Sequence, residues 1–137
     1  MRMDRLKIAL PLLATTMVLA GCYDYAERPR GAEAHSRVPL ARVTGPDETC
    51  IPLTRFNQTE VRDGRTIDFL SSSNRGWRNV LPDSCPGLAS ERAFSFATSL
   101  TQLCSTDTIH VLYHAGSGLQ PGAACGLGRF TPIELGR

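Results

Sequence analysis

Five cysteines, at positions 22, 50, 85, 104 and 125, constrain this 137-residue chain more than any other feature. The number is odd, so an oxidising compartment would leave one thiol without a partner. Four of the five fall between about Thr49 and Leu135, the stretch whose apolar pattern can support a folded domain. A domain of that size has a marginal hydrophobic core, and small secreted domains compensate with disulfides. Two cross-links among Cys50, Cys85, Cys104 and Cys125 meet that need if Cys22 has another use. Four cysteines allow three pairings, and spacing does not choose among them. The expected arrangement joins the first and last strands through Cys50–Cys125 and closes the intervening segment through Cys85–Cys104.

The N-terminus supplies a use for Cys22. Arg2, Arg5 and Lys7 form a basic start, and Ile8 to Ala20 is an apolar run interrupted only by Pro11 and two threonines. At about 13 residues the run is too short for the roughly 20 that a membrane-spanning helix needs. It ends in Leu19-Ala20-Gly21-Cys22, which resembles the lipobox of bacterial lipoproteins. The resemblance implies removal of residues 1–21 as a signal peptide, diacylglycerol on the Cys22 sulfur and a fatty acyl group such as palmitate on its amino group. The chemistry is consistent: small residues fit the peptidase site, and only a thiol forms the thioether. Several acyl chains anchor firmly, since each buried methylene adds about 0.8 kcal/mol. Tyr23 rather than aspartate follows Cys22, which by resemblance to the enterobacterial sorting rule favours the outer membrane. The expectation is a periplasm-facing protein of the bacterial cell envelope, with the membrane as a partner through Cys22.

Cleavage before Cys22 would take away three basic residues and Asp4, leaving twelve arginines against twelve acidic residues. A balanced mature chain gives no reason to expect nucleic acid as a partner. The only lysine is Lys7, so chemistry that needs a lysine, including the phosphate-loop GK[ST] and the SxxK of penicillin-binding enzymes, is excluded. From Cys22 to Glu48 the composition is rich in Arg, Glu, Ala, Pro and Gly with little apolar periodicity, and it reads as a flexible tether. About 25 such residues span on the order of 28 Å, enough to hold residues 49–135 clear of the membrane.

Within that domain the pattern favours strands. Ile51, Leu53 and Arg55 alternate with Pro52, Thr54 and Phe56 after Cys50, and Asp63-Gly64 signals a two-residue hairpin between Thr59–Arg62 and Arg65–Leu70. SSSNRG at 71–76 is turn chemistry before a strand over Trp77–Leu81, and PDSCPG at 82–87 breaks the chain again. Phe94 and Phe96 share one face of a strand over Ala93–Thr98. In Thr108–His114, Ile109, Val111 and Tyr113 oppose His110, Leu112 and His114. Gly126–Thr131 is the expected last strand, and Leu88–Arg92 or Leu100–Cys104 could form one helical turn. About five to seven short strands with frequent turns imply a mainly β domain, a small antiparallel barrel or sandwich with at most one or two helical turns.

CIPL, WRNVLPDSCPGL, RAFSF, LCSTDTIHVL and CGLGRFTP follow one another across residues 50–132. In this order they resemble a domain-of-unknown-function family of small, cysteine-containing envelope proteins and lipoproteins, mainly alphaproteobacterial. CPGL and CGLGRF are its most specific pieces. The resemblance implies kinship and an envelope address, and carries over no catalytic or ligand-binding residue.

Other constellations point to structure rather than chemistry. His110 and His114, with Cys104 and Cys125, match only the H-x₃-H half of a zinc-finger spacing, and thiols in the envelope oxidise. The glycines from Gly116 to Gly128 lack G-x-G-x-x-G spacing; a hairpin loop, with Gly126 or Gly128 at a bulge or close approach, explains them. Ser117 sits in AGSGL rather than G-x-S-x-G. Glu60, Asp63 and Asp68 read as the solvated face of a hairpin. No cofactor and no metal is expected. Arg75, Trp77 and Arg78 form the one patch with binding character, since tryptophan beside arginine suits anionic glycans, headgroups or a protein hot spot; the favoured reading is that Trp77 is a core residue of its strand and the arginines flank the turn. The leading expectation is a non-enzymatic envelope lipoprotein that binds or scaffolds another envelope component. A periplasmic inhibitor or small-ligand or glycan-binding module is the alternative, and a hydrolase using His110 or His114 a third.

Overall fold

Side chains alternate across a strand, and in β4 (Thr66–Leu70) both sets are buried. Ile67 and Phe69 face the main core, while Asp68 and Leu70 are buried on the other side. That strand lies inside a five-stranded antiparallel sheet ordered β1-β10-β5-β4-β3, whose other members are Ala41–Val43, Phe130–Leu135, Arg75–Val80 and Gln58–Val61. Two smaller sheets complete the protein. One pairs β2 (Cys50–Pro52) with β7 (Gln102–Cys104), and the other orders β6 (Phe94–Phe96), β8 (Thr108–Ala115) and β9 (Gly118–Gly126). The computed structural model describes residues 38–98 and 101–136. Within them the chain is mainly β, antiparallel and sandwich-like, not a closed barrel, with one helical turn, α1 (Leu88–Glu91), and a 3-10 turn at Leu53–Arg55.

The core forms where the smaller sheets lie on the inner face of the large one. Ile51 and Leu103 from β2–β7, and Ile109 and Val111 from β8, meet Ile67, Phe69 and Phe130 of the large sheet. Phe69 is its centre, with the rings of Phe56, Phe94 and Phe130 edge-on to it at 5.2, 6.3 and 5.6 Å between centroids. Edge-to-face pairs of this kind add about 0.5–1.5 kcal/mol each beyond the area they bury.

Ten strands occupy the described residues, more than the five to seven expected, and the additions are informative. Ala41–Val43, assigned from composition to the tether, pairs in register with Ile133–Leu135, and Glu48 bridges Phe130. The fold therefore begins before residue 49. Of the glycine run, read as a hairpin loop, Gly116 does lie in the turn, but Gly118–Gly126 is a nine-residue strand. It folds that way because Tyr113 lies across Gly122, where a Cβ would meet the ring at 1.8 Å, while its hydroxyl donates to the Pro86 carbonyl at 3.2 Å. Gly128 does make the close approach expected of it: a Cβ there would meet the Val80 carbonyl oxygen at 2.1 Å. The last strand is Phe130–Leu135 rather than Gly126–Thr131, and the strand after Arg75 ends at Val80. Gln102–Cys104 is a strand and not a helical turn, whereas the turn at Leu88 forms as expected. Four residues, Arg62 to Arg65, join β3 and β4 instead of two, with Arg62 donating its N–H to the Thr66 carbonyl across the turn.

The disulfides are Cys50–Cys104 and Cys85–Cys125. The expected pairs, Cys50–Cys125 and Cys85–Cys104, are both overturned, and the sheet topology gives the reason. The first strand after the tether pairs with β7, which places Cys50 directly opposite Cys104. The last strand pairs with β1 and β5, so it carries no cysteine to Cys50. Cys125 belongs to β9, opposite Ile109, and reaches the buried Cys85 ahead of α1.

Polar ties supplement the covalent ones. Asp68 is fully buried, and its two carboxylate oxygens accept from Arg78 Nε and Nη2 at 2.7 and 2.9 Å and from Arg62 Nε at 2.8 Å. Arg78 Nη1 also donates to the Pro39 carbonyl at 3.1 Å, tying the chain's entry to the sheet. The expectation that Asp68 lies on a solvated hairpin face is thus wrong; Glu60 and Asp63 remain half-buried. Asn79, also fully buried, clamps Gly128 by donating to its carbonyl at 2.7 Å and accepting its N–H at 2.8 Å.

Chain-entropy reasoning assigns each disulfide about 4 kcal/mol for loops of 54 and 40 residues. Replacing Cys85 and Cys125 together by serine is expected to lower unfolding free energy by about that much in urea titration; an unchanged midpoint would contradict the assignment. Asp68→Asn leaves two half-buried guanidinium groups without their carboxylate and is expected to cost about 3 kcal/mol in the same titration.

Candidate functional site at the open end of the inner sheet face

Three cross-strand rows on the inner face of the large sheet change character along its length. The first, Ile67–Asn79–Phe130, lies deep in the core. The second is Phe69–Trp77–Pro132, and the third is Arg75–Glu134–Arg42. Side chains two residues apart on a strand share a face, so one surface runs from hydrocarbon through tryptophan to charge. The covering layer stops near the 3-10 turn at Leu53–Arg55, and beyond it the sheet lies open as a groove of about 390 Å³. Arg42, Glu48, Arg55, Arg75, Trp77 and Glu134 line it.

Trp77 is the buried floor. Its indole N–H donates to Glu48 Oε1 at 2.9 Å, and the Arg55 guanidinium carbon lies 4.7 Å from the ring centroid. Arg55 also approaches Glu48 at 4.0 Å, while Glu134 pairs with both Arg42 and Arg75. The charges are layered. The arginine side chains at 42, 55 and 75 are 56–73% exposed, and the glutamates at 48 and 134 only 24–34%. The carboxylates therefore sit beneath and hold the guanidinium groups outward. A second groove of about 360 Å³ shares Arg42 and Glu134 and continues over Leu40 and Asn74. Leu40 is 89% exposed.

Of the expected patch, Arg75 and Trp77 come together in this groove, but Arg78 does not. An even-numbered neighbour of Trp77 on the same strand must face the opposite side, where Arg78 is committed to Asp68. Arg42, Glu48, Arg55 and Glu134 take its place, and they come from three other parts of the chain. The patch that the sheet assembles thus holds Arg75 and Trp77 without Arg78.

The remaining candidates lie elsewhere. His110 and His114 share one face of β8, as expected; His110 is half-buried opposite Ser95 and Ala124, and His114 is exposed opposite Leu119. Ser117 lies in the turn between β8 and β9. Among the described residues no group of three or more His, Cys, Asp or Glu side chains is placed to hold a metal. Cys22 lies outside the described residues. Within them no helix is long and apolar enough to cross a membrane.

No family model matches this chain, and neither does any curated protein or solved structure with which it was compared. The groove is accordingly read from its own chemistry. With one ring face under Arg55 and the rest buried, Trp77 offers little area for stacking a sugar, and the groups presented outward are the three guanidiniums.

Arg55→Ala is expected to cost about 0.5–1 kcal/mol of stability from the lost ring contact. The same change uncovers Trp77, the only tryptophan, so its emission is expected to move to the red and its quenching by acrylamide to rise. Unchanged emission would mean that Arg55 does not cover the ring.

Proposed function

We propose that this chain is a non-enzymatic envelope lipoprotein, anchored through acyl chains on Cys22, whose disulfide-stapled β domain binds another envelope component. The reading keeps the kinship with the cysteine-containing envelope family suggested by CPGL and CGLGRF, and the periplasm-facing, outer-membrane address suggested by LAGC and Tyr23. Two disulfides in a small domain are compatible with an oxidising compartment. The observation that carries the binding role is the open end of the inner sheet face, where Arg42, Arg55 and Arg75 stand outward over Trp77, braced by Glu48 and Glu134. Arginine beside tryptophan is the composition expected of a surface that recognises phosphate, carboxylate or a protein partner.

The anchor and the binding role have separate tests. The N-terminal peptide of the protein isolated from membranes is expected to begin at Cys22 and carry acyl mass, and Cys22→Ser is expected to abolish both. An unmodified N-terminus would refute the lipoprotein reading. Crosslinking in intact envelopes is expected to trap adducts at the groove that Arg75→Glu depletes; adducts insensitive to that change would refute the groove as the binding surface.

A further inference from the structure

Resting on the lipoprotein reading, we infer that the groove docks the domain onto the anionic headgroup surface of the leaflet that holds its own anchor. Three observations converge on this occupant. The outermost groups at the open sheet end are the guanidiniums of Arg42, Arg55 and Arg75, with their carboxylate partners beneath them. Phosphate esters at a bilayer surface accept from such groups in paired hydrogen bonds. Leu40 stands almost free of the domain beside Arg42 and Glu134, an apolar side chain placed to enter the boundary between headgroups and acyl chains.

The third observation is where the chain enters. Leu40 immediately precedes β1, so the connection to Cys22 arrives at the same edge that carries the groove. About 17 residues separate Cys22 from Leu40, and a linker of that length spans on the order of 23 Å. On the tether reading, that length lets the domain stand clear of the bilayer or return to it, with the arginine end nearest the anchor. The three arginines and two glutamates of the groove leave one net positive charge, so an anionic surface favours the docked position by about five-fold in all, an effect that falls off within roughly 8–10 Å and weakens with salt.

Trp77 makes the inference directly measurable, because the sole tryptophan forms the floor of the groove. The mature protein purified from membranes is placed in vesicles of phosphatidylcholine alone or mixed with phosphatidylglycerol, each containing a nitroxide-headgroup lipid that quenches nearby indole. Quenching is expected to be greater with phosphatidylglycerol, to fall as salt is raised, and to drop in the Arg42→Gln/Arg75→Gln variant. Arg92→Glu, which removes as much positive charge at an exposed position outside the groove, is expected to quench like the unaltered protein. Equal quenching on the two vesicle types, or a loss matched by Arg92→Glu, would overturn the inference. The salt and lipid comparisons need no variant and so do not depend on how the substitutions fold. The N-terminal mass of the same sample separately decides the anchor reading; an unacylated protein added to vesicles from outside still reports docking.

Discussion

Two covalent links brace the layer that covers the large sheet, and the rest of the architecture follows from where they fall. Cys50–Cys104 joins the two strands of a sheet only three residues long on each side, which could not persist on its own. Cys85–Cys125 fastens the β8–β9 ribbon to the segment that leaves β5. Together they place Ile51, Leu103, Ile109 and Val111 on one part of the inner face of the large sheet. The layer they fix is shorter than the sheet it covers, and the uncovered remainder is the groove. The staple that stabilises the fold thereby also sets the position of the surface available for binding.

Buried polar groups are used in the same structural way. Asp68 between Arg62 and Arg78 orders the face opposite the main core and reaches the entering chain through Pro39. Such a cluster adds little net stability compared with hydrocarbon of equal volume, but it cannot lose one member cheaply. Asn79 substitutes its amide for a strand backbone, holding Gly128 where Val80 leaves no room for a side chain. At the open end Glu48 and Glu134 do the corresponding work for groups that face solvent.

The sequence made the strand content legible wherever alternation was clean, as in Ile67–Phe69, Phe94–Phe96 and Ile109–Tyr113. It misled where long-range contacts overrule local composition. Ala41–Val43 has no apolar pattern of its own and becomes a strand only because β10 offers an edge. Gly118–Gly126 reads as a loop because glycine has weak strand propensity, and Tyr113 supplies the packing that glycine lacks. The disulfide pairing depended on those two strands, so it could not be chosen from spacing. Arg75 and Trp77 were visible as a patch; period-two alternation argued against Arg78 from the start, given the strand. Arg42, Arg55, Glu48 and Glu134 carried no local signal, since only the sheet register brings them together.

On the proposed envelope role, the open sheet end, and not the exposed β8–β9 ribbon, is the face this protein presents to its surroundings. Hydroxyl-radical footprinting of the protein in native envelopes and after extraction tests that claim most directly, because each surface carries an exposed leucine. Leu40 and the groove residue Pro132 are expected to be protected in the envelope and to gain reactivity on extraction, while Leu119 and Pro121 react alike in both. Protection of Leu119 and Pro121 with an unprotected Leu40 would contradict it.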